Sequence, residues 1–230
     1  PHNEDFEGLE DYLKFLESIG VDAIIVADMG IFSLAKRVAP GLELHVSTQA
    51  STTNWHTVQM WKELGATRVV AAREVSLADL KEMKDNVDIE IESFVHGSMC
   101  ISYSGRCLLS NYMTGNRDAN RGQCSQSCRW KYSLVESNRP GEYYPIEEDE
   151  HGTYIFNSKD LCLIHRIPDL YEAGIDSLKI EGRMKSVHYC ATVAKVYRTA
   201  IDTYLKEGKD WYVRPEWIAE LEKISHRPYT

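Results

Sequence analysis

Four short β-rich runs return at near-constant intervals through the first hundred residues, at 22–28, 42–48, 67–74 and 89–97, with starts 20, 25 and 22 residues apart. Helix-like stretches lie before and between them, at 6–19, 32–38, 55–64 and 76–84; Leu9, Leu13, Phe15 and Leu16 share one face of the first, and Ser76 stands where an N-cap belongs. Strands alternating with helices at this spacing build βα units around a parallel sheet. Regularity stops near residue 100 and gives way to a polar stretch to about 129, rich in Ser, Asn, Gly and Arg, that carries four of the six cysteines. Arms at 131–136 and 142–146 predict a β-hairpin, followed by an acidic run at 147–150. The rhythm then resumes: a strand at 153–157, a helix-bearing stretch at 158–173 stopped by Gly174, a strand at 176–180, a long helix at 187–205 ended by Gly208, and a peripheral tail helix at 215–225.

The fold class expected is α/β, a partial parallel (β/α) barrel of TIM-barrel type with a Cys-rich loop and β-hairpin insertion. Six strands are two short of a closed barrel, and because the chain opens on a helix the missing units are expected before residue 1. Four segments follow: barrel units at 1–98, the insertion at 99–150, the last barrel units at 151–212 and the tail at 213–230. Apolar runs such as 23–27 and 69–72 are far too short to span a bilayer, and the N-terminal residues lack a signal-peptide layout, so no membrane and a cytoplasmic location are expected. With 26 basic against 35 acidic residues, a net charge of −9 argues against indiscriminate nucleic-acid binding.

In parallel βα folds the working residues gather at the C-terminal ends of the strands. Polar side chains recur there: Asp28, which can cap a helix or touch a ligand; Ser47 and Gln49; Arg73 and Glu74; Glu92 and His96; Lys179, Glu181 and Arg183. Glu92, His96, Lys179, Glu181 and Arg183 are the catalytic candidates, and Gln49 and Arg73 the cofactor-binding ones. Cys100, Cys107, Cys124 and Cys128 follow C-x6-C-x16-C-x3-C, with Cys162 and Cys190 further on. Paired C-x2-C zinc knuckles are absent, and thiolates at irregular spacing on loops suit an iron–sulfur cluster. Cys190, inside a helix among apolar neighbours, reads as a small core residue. Between Arg106 and Lys131 stand five basic residues and one acid, Asp118. Arg117, Arg121 and Arg129 are the candidate RNA contacts of that loop, with Asn111, Tyr112, Asn116, Trp130 and Tyr132 supplying amides and ring faces for unstacked bases. A Cys100 nucleophile with His96 as base is the alternative, since no H-E-x-x-H helix or G-x-S-x-G elbow occurs.

The stretch from Glu92 through Gly97-Ser98-Met99-Cys100 and Gly105-Arg106-Cys107 to Leu109-Ser110 resembles the signature E-x-F-x-x-G-S-M-C-x4-G-x-C-x-L-S of the collagenase-like peptidase family U32 at every defined position. Ser47-Thr48-Gln49-Ala50-Ser51, Arg73-Glu74, Asn157-Ser158-Lys159-Asp160-Leu161-Cys162 and Lys179-Ile180-Glu181-Gly182-Arg183-Met184-Lys185 look like further blocks in family order. The resemblance runs from about residue 10 to 205. It implies either a peptidase or oxygen-independent hydroxylation of a tRNA wobble uridine, an rRNA cytidine or a quinone-precursor ring. The hydroxylation branch implies a 4Fe-4S cluster on Cys100, Cys107, Cys124 and Cys162, with Cys128 as a competitor of Cys124. It also implies prephenate as oxygen source, for which Lys179 and Arg183 offer cations. RNA hydroxylation, most of all of the tRNA wobble uridine, is the reading expected. Its partners are tRNA or rRNA, with a partner subunit left open.

Overall fold

The computed structural model describes residues 1–100, 102–115, 117–130, 133–145 and 159–230. The strand expected at 153–157 lies outside them. In chain order the strands are β1 (Ala23–Val26), β2 (Glu43–Val46), β3 (Arg68–Val70), β4 (Glu90–Ser98), β5 (Ser133–Leu134), β6 (Tyr144–Pro145), β7 (Asp160–Cys162) and β8 (Ser177–Glu181). The helices are α1 (Leu9–Ser18), α2 (Met29–Val38), α3 (Trp55–Leu64), α4 (Leu77–Asn86), α5 (Leu109–Thr114), α6 (Ile167–Glu172), α7 (Val187–Glu207) and α8 (Pro215–Glu222). Strands β1, β2, β3, β4 and β8 pair side by side and all parallel, forming a half-barrel with its helices around it. β5 and β6 pair antiparallel as the hairpin expected within the insertion.

Local chemistry explains the regular half. Asp28, Asn54, Ser76 and Ser186 each accept the backbone N–H three residues on, capping α2, α3, α4 and α7. Asp28 is therefore a cap. Leu44, Val46, Val69 and Ile91 project from the strands onto Leu13, Ala35, Val58, Leu80 and Met83 of the helices, making one core. A second gathers Val95, Ile164, Leu170, Tyr189, Val193, Tyr197, Trp217 and Leu221 around α7.

Two expectations need correction. The stretch at 158–173 bears its helix over its second half, but near its start is a strand that the sequence reading does not give: Asp160–Cys162 forms β7, antiparallel to the end of β4 through His96↔Cys162, Gly97↔Leu161 and Ser98↔Asp160. β3 pairs only with Glu90, Ile91 and Glu92, so the rest of that edge of β4 has open backbone groups, and β7 satisfies them. Nor is the tail helix peripheral: Trp217, Leu221 and Ile224 are buried, and the chain beyond returns to β7, where Asp160 N–H donates to the Pro228 carbonyl and Thr230 N–H to the Asp160 carbonyl. Among the described residues no helix is long and apolar enough to cross a membrane.

Candidate functional site

The C-terminal ends of β2, β3, β4 and β8 converge on a cavity of about 410 Å³. Ser47 and Gln49 come from β2, Arg73 from β3, Ser98, Met99 and Cys100 from β4, and Glu181 and Arg183 from β8, with the polar loop as the far wall. Gly97 lets β4 and β8 close up at this end: its φ is +108°, and a Cβ there would overlap the Glu181 carbonyl. Gly105, with φ +74°, lays the loop against Gln49, whose amide nitrogen would stand 2.9 Å from a Cβ.

Cys100, Cys107, Cys124 and Cys128 all line this cavity. Burial pushes the Cys128 thiol up, Arg129 pulls it back, and Cys100, Cys124 and Cys107 add to the rise. Cys162 stands apart. It is outside the cavity wall, with its Sγ 3.9 Å from the Tyr197 hydroxyl and its side chain packed on the core around α7. Cys190 lies on α7 against Gly182, as a small core residue should. Among the described residues no three His, Cys, Asp or Glu side chains are grouped closely enough to hold a metal ion. Four thiols around one space are nonetheless the donor set that soft metals and iron–sulfur clusters take.

Two cations face the thiols. The Arg73 guanidinium sits 3.9 Å over the Phe94 ring, its Nη1 donating to Ser104 Oγ, its Nη2 3.8 Å from Glu181 and its buried Nε without a partner among the described residues. Burial lowers its pKa, and the Glu181 carboxylate opposes that. The Arg183 side chain has no ion pair among the described residues. Arg129 also lines the wall but is committed: Nη1 donates to Asp160 at 2.6 Å and Nη2 to the Met99 carbonyl at 3.1 Å. Asp160 is 0% exposed and also takes the Arg227 N–H at 3.1 Å, with Lys185 Nζ at 3.7 Å. Burial alone would raise its pKa. The Arg129 hydrogen bond, the Arg227 N–H and the cations outweigh that and hold it below the usual range. Asp160 thus ties the thiol loop to β7 and the tail, a role the sequence reading missed.

The other candidates are placed as follows. Glu92, near the start of β4, and Lys179, midway along β8, lie below the cavity, paired at 2.5 Å, with Ser177 Oγ donating to Glu92 at 2.7 Å and Arg68 at 3.4 Å. Burial raises the Glu92 pKa, and these partners more than reverse it. Lys179 is therefore spent on Glu92, and Arg73 takes the place expected of it at the cavity. His96 is 1% exposed and ringed by Tyr189, Tyr197 and Tyr229, with neither ring nitrogen hydrogen-bonded among the described residues. Burial lowers its pKa to about 4, so it is neutral at pH 7. It makes no hydrogen bond to Cys100, so the nucleophile–base pair is not assembled. Of the three loop arginines, Arg121 pairs with Asp5 at 2.9 Å, and Arg117 Nε donates to the Gln123 carbonyl at 3.0 Å. With Arg129 on Asp160, each has an internal partner.

Comparison with known proteins agrees with the cysteine-bearing signature. The sequence model of peptidase family U32 matches residues 1–230. The tRNA hydroxylation protein P1 of Bacillus subtilis strain 168 is 54% identical over 226 residues, covering 98% of this chain and 53% of that protein. The tRNA hydroxylation protein P of Escherichia coli strain K12 is 40% identical over 270 residues, covering 100% of this chain and 59% of that protein. From the same organism, the 23S rRNA 5-hydroxycytidine C2501 synthase is 35% identical over 209 residues, which are 91% of this chain and 30% of the synthase. The chain spans little more than half the length of the first two relatives.

Proposed function

This chain belongs to peptidase family U32, and with relatives named for tRNA and rRNA hydroxylation we propose that it takes part in hydroxylating an RNA base, most specifically the tRNA wobble uridine, without molecular oxygen. The observation that carries the reading is the cavity in which four thiols, Arg73 and Arg183 meet. Cys100, Cys107, Cys124 and Cys128 would hold a 4Fe-4S cluster, which supplies one-electron chemistry when bound. Cys162 would join that set only by leaving its contact with Tyr197. Arg73 and Arg183 bind an anionic cosubstrate, for which a dicarboxylate such as prephenate is suited, because a guanidinium fork meets a carboxylate with two hydrogen bonds. Phe94 under Arg73 keeps that floor apolar and strengthens the attraction by excluding water. The peptidase alternative has no such support, since neutral His96 faces tyrosines rather than Cys100.

The test compares tRNA nucleosides from a deletion strain carrying the full-length gene or its Cys100→Ser variant. Loss of a hydroxylated uridine in the variant alone is expected; identical digests would overturn the reading. Anaerobically purified protein should hold about four irons per chain. Iron should fall in Cys128→Ser and stay in Cys162→Ser if the cavity thiols are the ligands.

A further inference from the structure

The loop that walls the cavity has two sides. Ser104, Gly105 and Cys107 face inward and line the cavity, while Tyr103 before them, Arg106 between them and Leu108 and Tyr112 after them are exposed. Tyr103 is 60% exposed, Leu108 80% and Tyr112 83%, with Arg106 exposed among them. Large side chains this bare, recurring within ten residues of one loop and the helix α5 that follows it, suit a binding surface. Its charge is one-sided. No Asp or Glu occurs between Glu92 and Asp118, and Arg106, unlike Arg117, Arg121 and Arg129, has no side-chain partner among the described residues.

Resting on the RNA reading above, we infer that Tyr103, Arg106 and Tyr112 form the rim on which an unpaired RNA loop docks, the tyrosine rings stacking on bases and Arg106 meeting a phosphate. Rings beside a free guanidinium suit a chain that carries both π-faces and negative charge. Stacking tolerates any base, so the rim grips the loop while the cavity selects the nucleotide. Arg117, Arg121 and Arg129 each bond within the protein, whereas the Arg106 side chain has no such bond among the described residues. An A-form duplex offers no unstacked bases, so paired RNA should gain little from the rim.

The test uses the full chain, a fluorescent RNA hairpin with an unpaired loop, and a blunt duplex of the same length, read by anisotropy. Tyr103→Ala and Tyr112→Ala should each weaken hairpin binding at least about fivefold, in line with alanine losses at stacked bases. Tyr103→Phe and Tyr112→Phe should restore it, because the ring and not the hydroxyl stacks. Arg106→Glu should weaken binding and reduce the salt slope by about one unit. Circular dichroism should be unchanged in all, the side chains being exposed. If wild-type protein binds the hairpin and the alanine variants bind it equally, the rim is not the docking surface and the inference falls while the RNA reading stands. If wild-type protein binds neither RNA, the RNA reading itself falls.

Discussion

Between β1 and β4 each helix returns an apolar face to the sheet it has just left, and Val46, Val58, Val69, Met83 and Ile91 are buried in a single core. Between Met99 and Tyr143 the described residues instead contribute to neither core, and the stretch is fastened by separate polar ties: Arg129 to Asp160, Arg121 to Asp5, Arg73 to Ser104, and Ser110 to Ser125. Burial is spread over many side chains, so losing one weakens the sheet without changing its shape. Polar ties are few and directional, so losing one frees whatever it held. The four cavity thiols sit in the second kind of structure.

Asp160→Asn should expose that difference most. It leaves Arg129 and Lys185 without their buried counter-charge, and breaking a buried pair costs about 3–5 kcal/mol. Urea denaturation should show that loss, and Cys128 should become faster to alkylate in native conditions. Because the folded pKa of Asp160 is depressed, its contribution is complete above the unfolded carboxylate range and is lost as pH falls through the folded value. The gap between wild type and variant should thus be flat near neutrality and close only in strong acid. Unchanged alkylation of Cys128 would break the comparison. Ile91→Ala, wholly within the sheet's core, should cost about 2–5 kcal/mol by transfer and cavity terms. Cys128 alkylation in native conditions should nevertheless stay at the wild-type rate, because no loop tie is touched. Arg121→Ala removes a partly exposed pair with Asp5 and should leave the urea midpoint nearly unchanged, with any small loss vanishing at high salt. A larger loss would mean that the loop is anchored through the N-terminal turn at Asn3–Phe6 rather than through β7.

The period of the β-runs and the capping residues were enough to read the half-barrel and its helices from sequence, because burial on one face and a cap at N-terminal helix ends are local patterns. The same reading put Gln49, Arg73, Glu181, Arg183 and three of the four expected thiols at strand ends or on the following loop, and the structure brings all of them to one cavity. It failed wherever a residue's partner was remote. Lys179 reads as a free cation until Glu92, 87 residues earlier, is seen beside it, and Arg129 reads as a phosphate contact until Asp160 is found 31 residues on. The strand β7 carries no helix- or strand-specific period in its three residues and exists because β4 outruns β3.

The sequence by itself determined the alternation of strands and helices, the rim on which polar residues collect, and a loop dense in thiols and arginines. Only the tertiary structure decided which charges are spent on one another, that Cys128 faces the cavity while Cys162 faces Tyr197, and that His96 lies dry among tyrosines. The reason is physical. Periodicity and capping are set by neighbours within a turn or a pleat, whereas the pairing of a charge depends on which distant backbone the fold carries to within hydrogen-bond reach.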